Sequence, residues 1–96
     1  MKNLHKYENL TWKELDSFNR NKTVIIVPIG LMEEHSLQLP IGTDAFMSQS
    51  VANDLAKKLS VNYKNINFLI FPLIPIGFDC LDLTGTVQVR RHIFKA

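Results

Sequence analysis

The stretch Val24-Ile25-Ile26-Val27 indicates the fold class of this 96-residue chain. Its four β-branched residues follow one another without a polar interruption, a pattern typical of a strand that is covered on both faces. Such strands occur mainly in parallel sheets, because the helices that connect parallel strands lie on the faces of the sheet. The stretch therefore predicts an α/β fold with a mostly parallel sheet flanked by helices.

A helix and a second strand follow this stretch. Over residues 45–59 the apolar residues recur at three-to-four spacing and define one helical face, and Thr43 or Asp44 is the predicted cap. Phe68-Leu69-Ile70-Phe71 predicts a second buried strand, which ends at the prolines that follow because proline cannot donate to a central ladder. The succession of strand, helix and strand predicts a βαβ unit.

The segment before the first predicted strand has the start signals of a short helix. Thr11 and Glu14 have the spacing of a capping box, and Leu10 and Leu15 occupy the positions of a hydrophobic staple. A helix is therefore predicted over residues 12–19.

The tripeptide Pro-Ile-Gly occurs three times, beginning at Pro28, Pro40 and Pro75. The unequal spacings exclude a structural repeat. The first and third copies each follow a predicted buried strand, at the carboxyl end where open α/β sheets place their ligand sites.

Length and composition exclude several classes of protein. The chain is predicted to be one domain, residues 1–96, and its net charge of +2 is scattered, unlike the basic stripe of a nucleic-acid-binding protein. The longest apolar runs are far shorter than the roughly 20 residues that span a bilayer, and the polar start has no signal-peptide core. The lone Cys80 excludes an internal disulfide and fits a reducing compartment. Together, these features predict a cytoplasmic protein without membrane or nucleic-acid partners.

The loop between the first strand and the second helix concentrates charged residues that could bind a metal ion. Glu33 and His35 lie two positions apart and point to one side in extended backbone, whereas Glu34 points away. Asp44 could face the same space from the start of the helix, and three mixed ligands suit zinc or manganese better than calcium or copper. The alternative is ordinary polarity, with Asp44 as an N-cap, His35 as a loop histidine and the glutamates solvated.

A longer pattern around this loop resembles the N-terminal signature of the creatininase family, metal-dependent amidohydrolases whose best-known member opens the cyclic amide of creatinine. The pattern reads Pro28-x-Gly30-x-x-Glu33-x-His35-x-x-x-Leu39-Pro40-x-Gly42-Thr43-Asp44. Gly77, Asp79 and the pair Gly85-Thr86 resemble the second conserved region of the family, and the opening Leu10-Thr11-Trp12 is also similar to family members.

The resemblance implies a site with two divalent ions. Glu33 matches a ligand of one ion, His35 a ligand of the other, and Asp44 the carboxylate that bridges both. The implied reaction is hydrolysis of a carbon–nitrogen bond in a small-molecule amide that is not an ordinary peptide, by a water that the ions activate. No further catalytic residue is assigned, and the substrate-binding residues are unknown.

Departures from the family pattern shape two functional hypotheses. Four residues differ from those common in the family, and the resemblance therefore leaves the identity of the expected substrate open: Leu31, Ser36, Leu37 and Gln38.

The family's remaining ligands come from a later strand and from a glycine-rich loop with a histidine. The chain is therefore expected to be the N-terminal portion of a creatininase-like domain, which is incomplete without them. The full-length relative would be a homo-oligomeric hydrolase. The alternative is a non-catalytic truncated paralogue or subunit that pairs with another chain at its open sheet edge.

Overall fold

The computed structural model describes residues 2–32 and 39–76. The chain forms two compact units, which are described separately. The first comprises Met1–Pro28 and Ser50–Pro72, and the second comprises Ile29–Gln49 and Leu73–Ala96. The helices and strands, in chain order, are β1 (Leu4–Lys6), a 3₁₀ turn (Tyr7–Asn9), α1 (Trp12–Ser17), a second 3₁₀ turn (Arg20–Lys22), β2 (Thr23–Ile26), α2 (Thr43–Asn62) and β3 (Asn67–Ile70).

The first unit contains a three-stranded sheet in the order β1-β3-β2. Both neighbours of β3 run parallel to it, with His5 and Ile25 in register on either side of Leu69. The predicted α/β fold with a parallel sheet and helices is confirmed. The strand β1 was not predicted, because three residues are too few to show the alternation of a half-buried strand.

The central strand β3 has both faces covered. Phe68 is 3% exposed and Leu69 is fully buried, and successive strand residues point to opposite faces. The prediction that β2 is also covered on both faces is wrong, since Val24 is 42% and Ile25 48% exposed. In the described residues β2 is an edge strand, so its side chains have a sheet neighbour on one side only.

The helix α2 is longer than predicted and buries a narrower face. Its buried residues in the first unit are Ala52, Ala56 and Ser60, at four-residue spacing along one side. Val51 and Leu55, which the spacing assigned to the buried face, are exposed. The three-to-four pattern therefore contains two stripes, and the stripe of small residues is the one that packs.

Asn3 binds the carboxyl end of α2 from a distance in the sequence. Its side-chain amide donates to the carbonyl oxygens of Ser60, Tyr63 and Ile66 at 3.0, 3.2 and 3.0 Å. Its own carbonyl accepts from the amide of Phe68 at 2.7 Å. Carbonyl groups in the last turn of a helix lack intrahelical partners, and the Asn3 side chain satisfies that of Ser60 and also binds the segment after the helix. The backbone carbonyl of Asn3 joins the start of β1 to β3.

The predicted capping box of α1 is present. The Glu14 amide donates to Thr11 Oγ1 at 3.2 Å, and the Thr11 amide donates to Glu14 Oε1 at 3.1 Å. The helix ends at Ser17, two residues before the predicted end. No helix in the described ranges has the length and apolar character needed to cross a membrane.

Candidate functional site

The backbone that leads into the predicted metal-binding loop is held by a neighbouring segment of the second unit. Ile29 and Ile74 form an isolated parallel bridge. The amide of Gly30 donates to the Ile74 carbonyl at 3.2 Å, and the amide of Met32 donates to the Pro75 carbonyl at 3.3 Å. Residues 29–32 are thus held against Ile74 and Pro75, so the chain is fixed up to the residue before Glu33.

The first turn of α2 is built by backbone groups. The Pro40 carbonyl accepts from both the amide and the hydroxyl of Thr43, at 3.1 and 2.6 Å. The Gly42 carbonyl accepts the first helical hydrogen bond, from the Phe46 amide at 2.8 Å. Gly42 therefore holds the N-cap position, and the prediction that Thr43 or Asp44 caps the helix is wrong. The Thr43 hydroxyl donates backwards to Pro40, and both residues lie inside the first turn.

Asp44 lies in the first turn of α2 and is partly buried. The unpaired amide groups at a helix start carry partial positive charge, which favours a carboxylate at this position. A carboxylate oxygen is also a ligand that hard and borderline divalent ions accept. Asp44 is thus chemically suited to the metal-binding role that the sequence predicts for it.

Gly30 allows the first turn of α2 to approach the segment that follows β2. A Cβ atom at Gly30 would lie 2.5 Å from the Asp44 carbonyl oxygen and 2.6 Å from the Ala45 Cα. Both atoms belong to the helix backbone, so a side chain at this position would force the helix to move. Ala45 is fully buried at this approach. Gly30 therefore determines how closely the backbone of Asp44 approaches the segment around Gly30.

The described residues include one of the three predicted ligands. Asp44 is placed as above, whereas Glu33 and His35 lie outside the described residues, as do Glu34, Ser36, Leu37 and Gln38. Within residues 2–32 and 39–76 no three His, Cys, Asp or Glu side chains converge as a metal site would require. The donor type of Asp44 fits a divalent ion, and the assignments of Glu33 and His35 stay predictions.

The importance of Gly30 for packing was not predicted. The sequence pattern contained it only as one position of the longer signature, although the recurrence of Pro-Ile-Gly after two strands was a usable signal. A glycine in or near extended backbone often marks a close approach of another backbone. Here that backbone is the first turn of α2.

Comparison with known proteins identifies one family. The model of the creatininase family, described as creatinine amidohydrolase, matches residues 8–96. The match includes Gly30, the three predicted ligands and the second conserved region. The comparisons found no matching curated protein and no matching solved structure.

Proposed function

The chain belongs to the creatininase family, and we propose on that basis that it acts in the hydrolysis of a carbon–nitrogen bond in a small-molecule amide. The observation that carries the proposal is the family match over residues 8–96, which contains the complete signature from Pro28 to Asp44. Members of the family are generally metal-dependent, and the proposed substrate is a non-peptide amide, including cyclic ones.

We assign the metal-binding residues by their positions in that signature. Glu33 and His35 would each bind one of two ions, and Asp44 would bridge them. The close approach at Gly30 supports this assignment, because it brings the backbone of Asp44 against the segment that leads to Glu33. The hydrogen bond from Met32 to Pro75 supports it too, since it fixes the residue before Glu33.

The proposed ligands of this chain would position the two divalent ions and balance part of their positive charge. Divalent ions, when bound, supply a water of lowered pKa and polarise the amide carbonyl. Asp44, fixed by the first turn of α2, would hold its carboxylate in one place, which limits the reorganisation needed during the reaction. The proposed metal is zinc or manganese, because mixed carboxylate and imidazole ligands suit these ions. A cytoplasmic homo-oligomer is the proposed state of the protein.

The test is metal uptake by the 96-residue chain. Equilibrium dialysis against zinc or manganese, followed by elemental analysis, measures the ions bound to the wild type and to Asp44→Asn. The expected result is a loss of binding in Asp44→Asn without loss of helical circular dichroism. The matched control is Asp54→Asn, an exposed carboxylate on the same helix, which should bind as the wild type does. Equal uptake by all three proteins would overturn the assignment.

A second candidate function is pairing with another chain at the sheet edge. It is favoured by the exposure of β2, whose Val24 and Ile25 are more than 40% accessible. An exposed apolar edge strand offers unpaired backbone groups to a partner strand. Val24→Lys should then convert an oligomer to a smaller species in sedimentation velocity while leaving metal uptake unchanged. If Val24→Lys changed metal uptake and left the oligomeric state unchanged, the result would favour the hydrolase over the pairing function.

A further inference from the structure

The first unit contains an apolar cavity that shares no residue with the predicted metal site. Its volume is about 580 Å³, within the range of about 300–1,000 Å³ that is usual for small-molecule sites. The register partners Ile25 and Leu69 lie on the sheet side of the cavity. Trp12 and Leu15 of α1 line it as well.

Ring contacts hold two of the cavity walls in place. Phe18 packs against His5 with 5.4 Å between ring centroids, and Tyr7 packs against Phe71 at 4.9 Å. Both Phe18 and Tyr7 line the cavity. Tilted ring pairs at these distances are attractive beyond their buried area, so the walls are formed before a ligand binds.

The charged groups of the cavity are one carboxylate and one guanidinium, beside the hydroxyl groups of Tyr7 and Thr23. Asp16 and Arg20 both line it. Among residues 2–32 and 39–76, no hydrogen bond or ion pair is found for either side chain. An arginine in this state can bind a carboxylate through two parallel hydrogen bonds, and an aspartate can bind an ammonium group.

We propose that this cavity binds an apolar α-amino acid. The α-carboxylate of the ligand pairs with Arg20, its α-ammonium group pairs with Asp16, and its side chain lies over Ile25 and Leu69. A zwitterion with an apolar body complements both charges at once, whereas a ligand with one charge leaves one of them unpaired. The pairing groups are accessible to water, so each contributes a moderate gain in affinity.

The test is a titration of the 96-residue chain with L-phenylalanine, followed by the emission of Trp12. Trp12 is the single tryptophan of the chain and lines the cavity, so its emission reports on this site. The comparison ligands are 3-phenylpropionate, which lacks the ammonium group, and 2-phenylethylamine, which lacks the carboxylate. L-Phenylalanine should bind about tenfold more tightly than either. Equal affinity of the three, or no change in emission with L-phenylalanine, would overturn the proposal.

Two pairs of variants separate the cavity charges from general charge effects. Arg20→Gln should weaken L-phenylalanine binding about tenfold and leave 2-phenylethylamine binding unchanged. Lys22→Gln removes the same charge from the same 3₁₀ turn outside the cavity and should change affinity less than about twofold. Asp16→Asn should weaken L-phenylalanine but not 3-phenylpropionate, with Glu8→Gln as its control. Equal weakening by a variant and its control would contradict the assigned contacts.

Discussion

The helices α1 and α2 are held at their ends in different ways. The start of α1 is stabilised by the reciprocal bonds of Thr11 and Glu14, which are exposed and three residues apart. The start of α2 is fixed by the close approach of Gly30, and its far end is bound by the side chain of Asn3. The comparison shows that a helix carrying a predicted functional residue depends on distant parts of the chain, whereas the other helix is specified locally.

The largest effect is expected for Gly30→Ala. The new Cβ would overlap the backbone of Asp44 and Ala45, so the first turn of α2 must move, and we expect a loss of about 3 kcal/mol in the free energy of unfolding. Urea denaturation followed by circular dichroism measures it. The control is Gly42→Ala, whose Cβ would have its three nearest neighbours in the exposed ring of Phe46. That ring can rotate away, so the control should lose about 1 kcal/mol or less. Equal losses would show that the approach at Gly30 is not tight.

Asn3→Ala tests the other end of α2. It removes the amide that donates to three carbonyl groups, and the expected loss is about 2 kcal/mol in the free energy of unfolding. Hydrogen exchange should also increase for the amide of Phe68, which donates to the Asn3 carbonyl. Asn9→Ala changes an exposed residue of the same type and should have almost no effect. Unchanged exchange at Phe68 in Asn3→Ala would show that β1 is held without this side chain.

Thr11→Ala tests the locally specified helix. Loss of an N-cap hydroxyl costs about 1 kcal/mol, and Thr11→Ser should retain most of it because serine is an equally good cap. Thermal unfolding of the three proteins gives the comparison. If Thr11→Ala lost more stability than Asn3→Ala, the local cap of α1 would be more important than the long-range contact of α2, contrary to the comparison above.

The smallest effect is the pH dependence of α1. The hydrogen bond from the Thr11 amide, then that of the Thr11 side chain and the charge of His5, hold the pKa of Glu14 below its ordinary value of 4.5. A lowered pKa in the folded state means that the stabilisation is complete above pH 4.5 and is lost as the pH falls through the lowered pKa. Titration of the Glu14 side chain by NMR measures this shift. Thr11→Ala removes the side-chain contribution but keeps the backbone amide, so it should move the pKa of Glu14 only part of the way back towards 4.5.

The sequence predicted those parts of the fold that depend on neighbours in the chain. The two longer strands, both α-helices and the capping box of α1 follow from periodicity and from residue types within a few positions. The exposure of β2 could not be predicted, because a β-branched run does not reveal whether its strand is central or at an edge. The N-cap of α2 was misassigned for a related reason: Thr43 is a good capping residue, but its hydroxyl donates to Pro40 instead.

The candidate site was predicted from residue types and from the family resemblance. Asp44 lies at the start of α2 as expected, close to the end of the segment that follows β2. The sequence did not predict the contact between Gly30 and the backbone of Asp44. Nothing in the local sequence of Gly30 indicates which backbone will lie against this glycine. Glu33 and His35 lie outside the described residues, so their metal-binding role stays a prediction.

The bonds of Asn3 also constrain the order in which the protein folds. Its amide binds carbonyl groups 57 to 63 residues later in the chain, and among the residues that the structure describes β1 pairs with β3 alone. During synthesis β1 therefore lacks this partner until the ribosome has released β3, although α1 and its capping box can form long before then. The strand β1 would be made before α1, β2, α2 and β3 and yet be among the last of them to be ordered. Pulsed hydrogen exchange on nascent chains of increasing length would show this as late protection at Leu4 and Lys6.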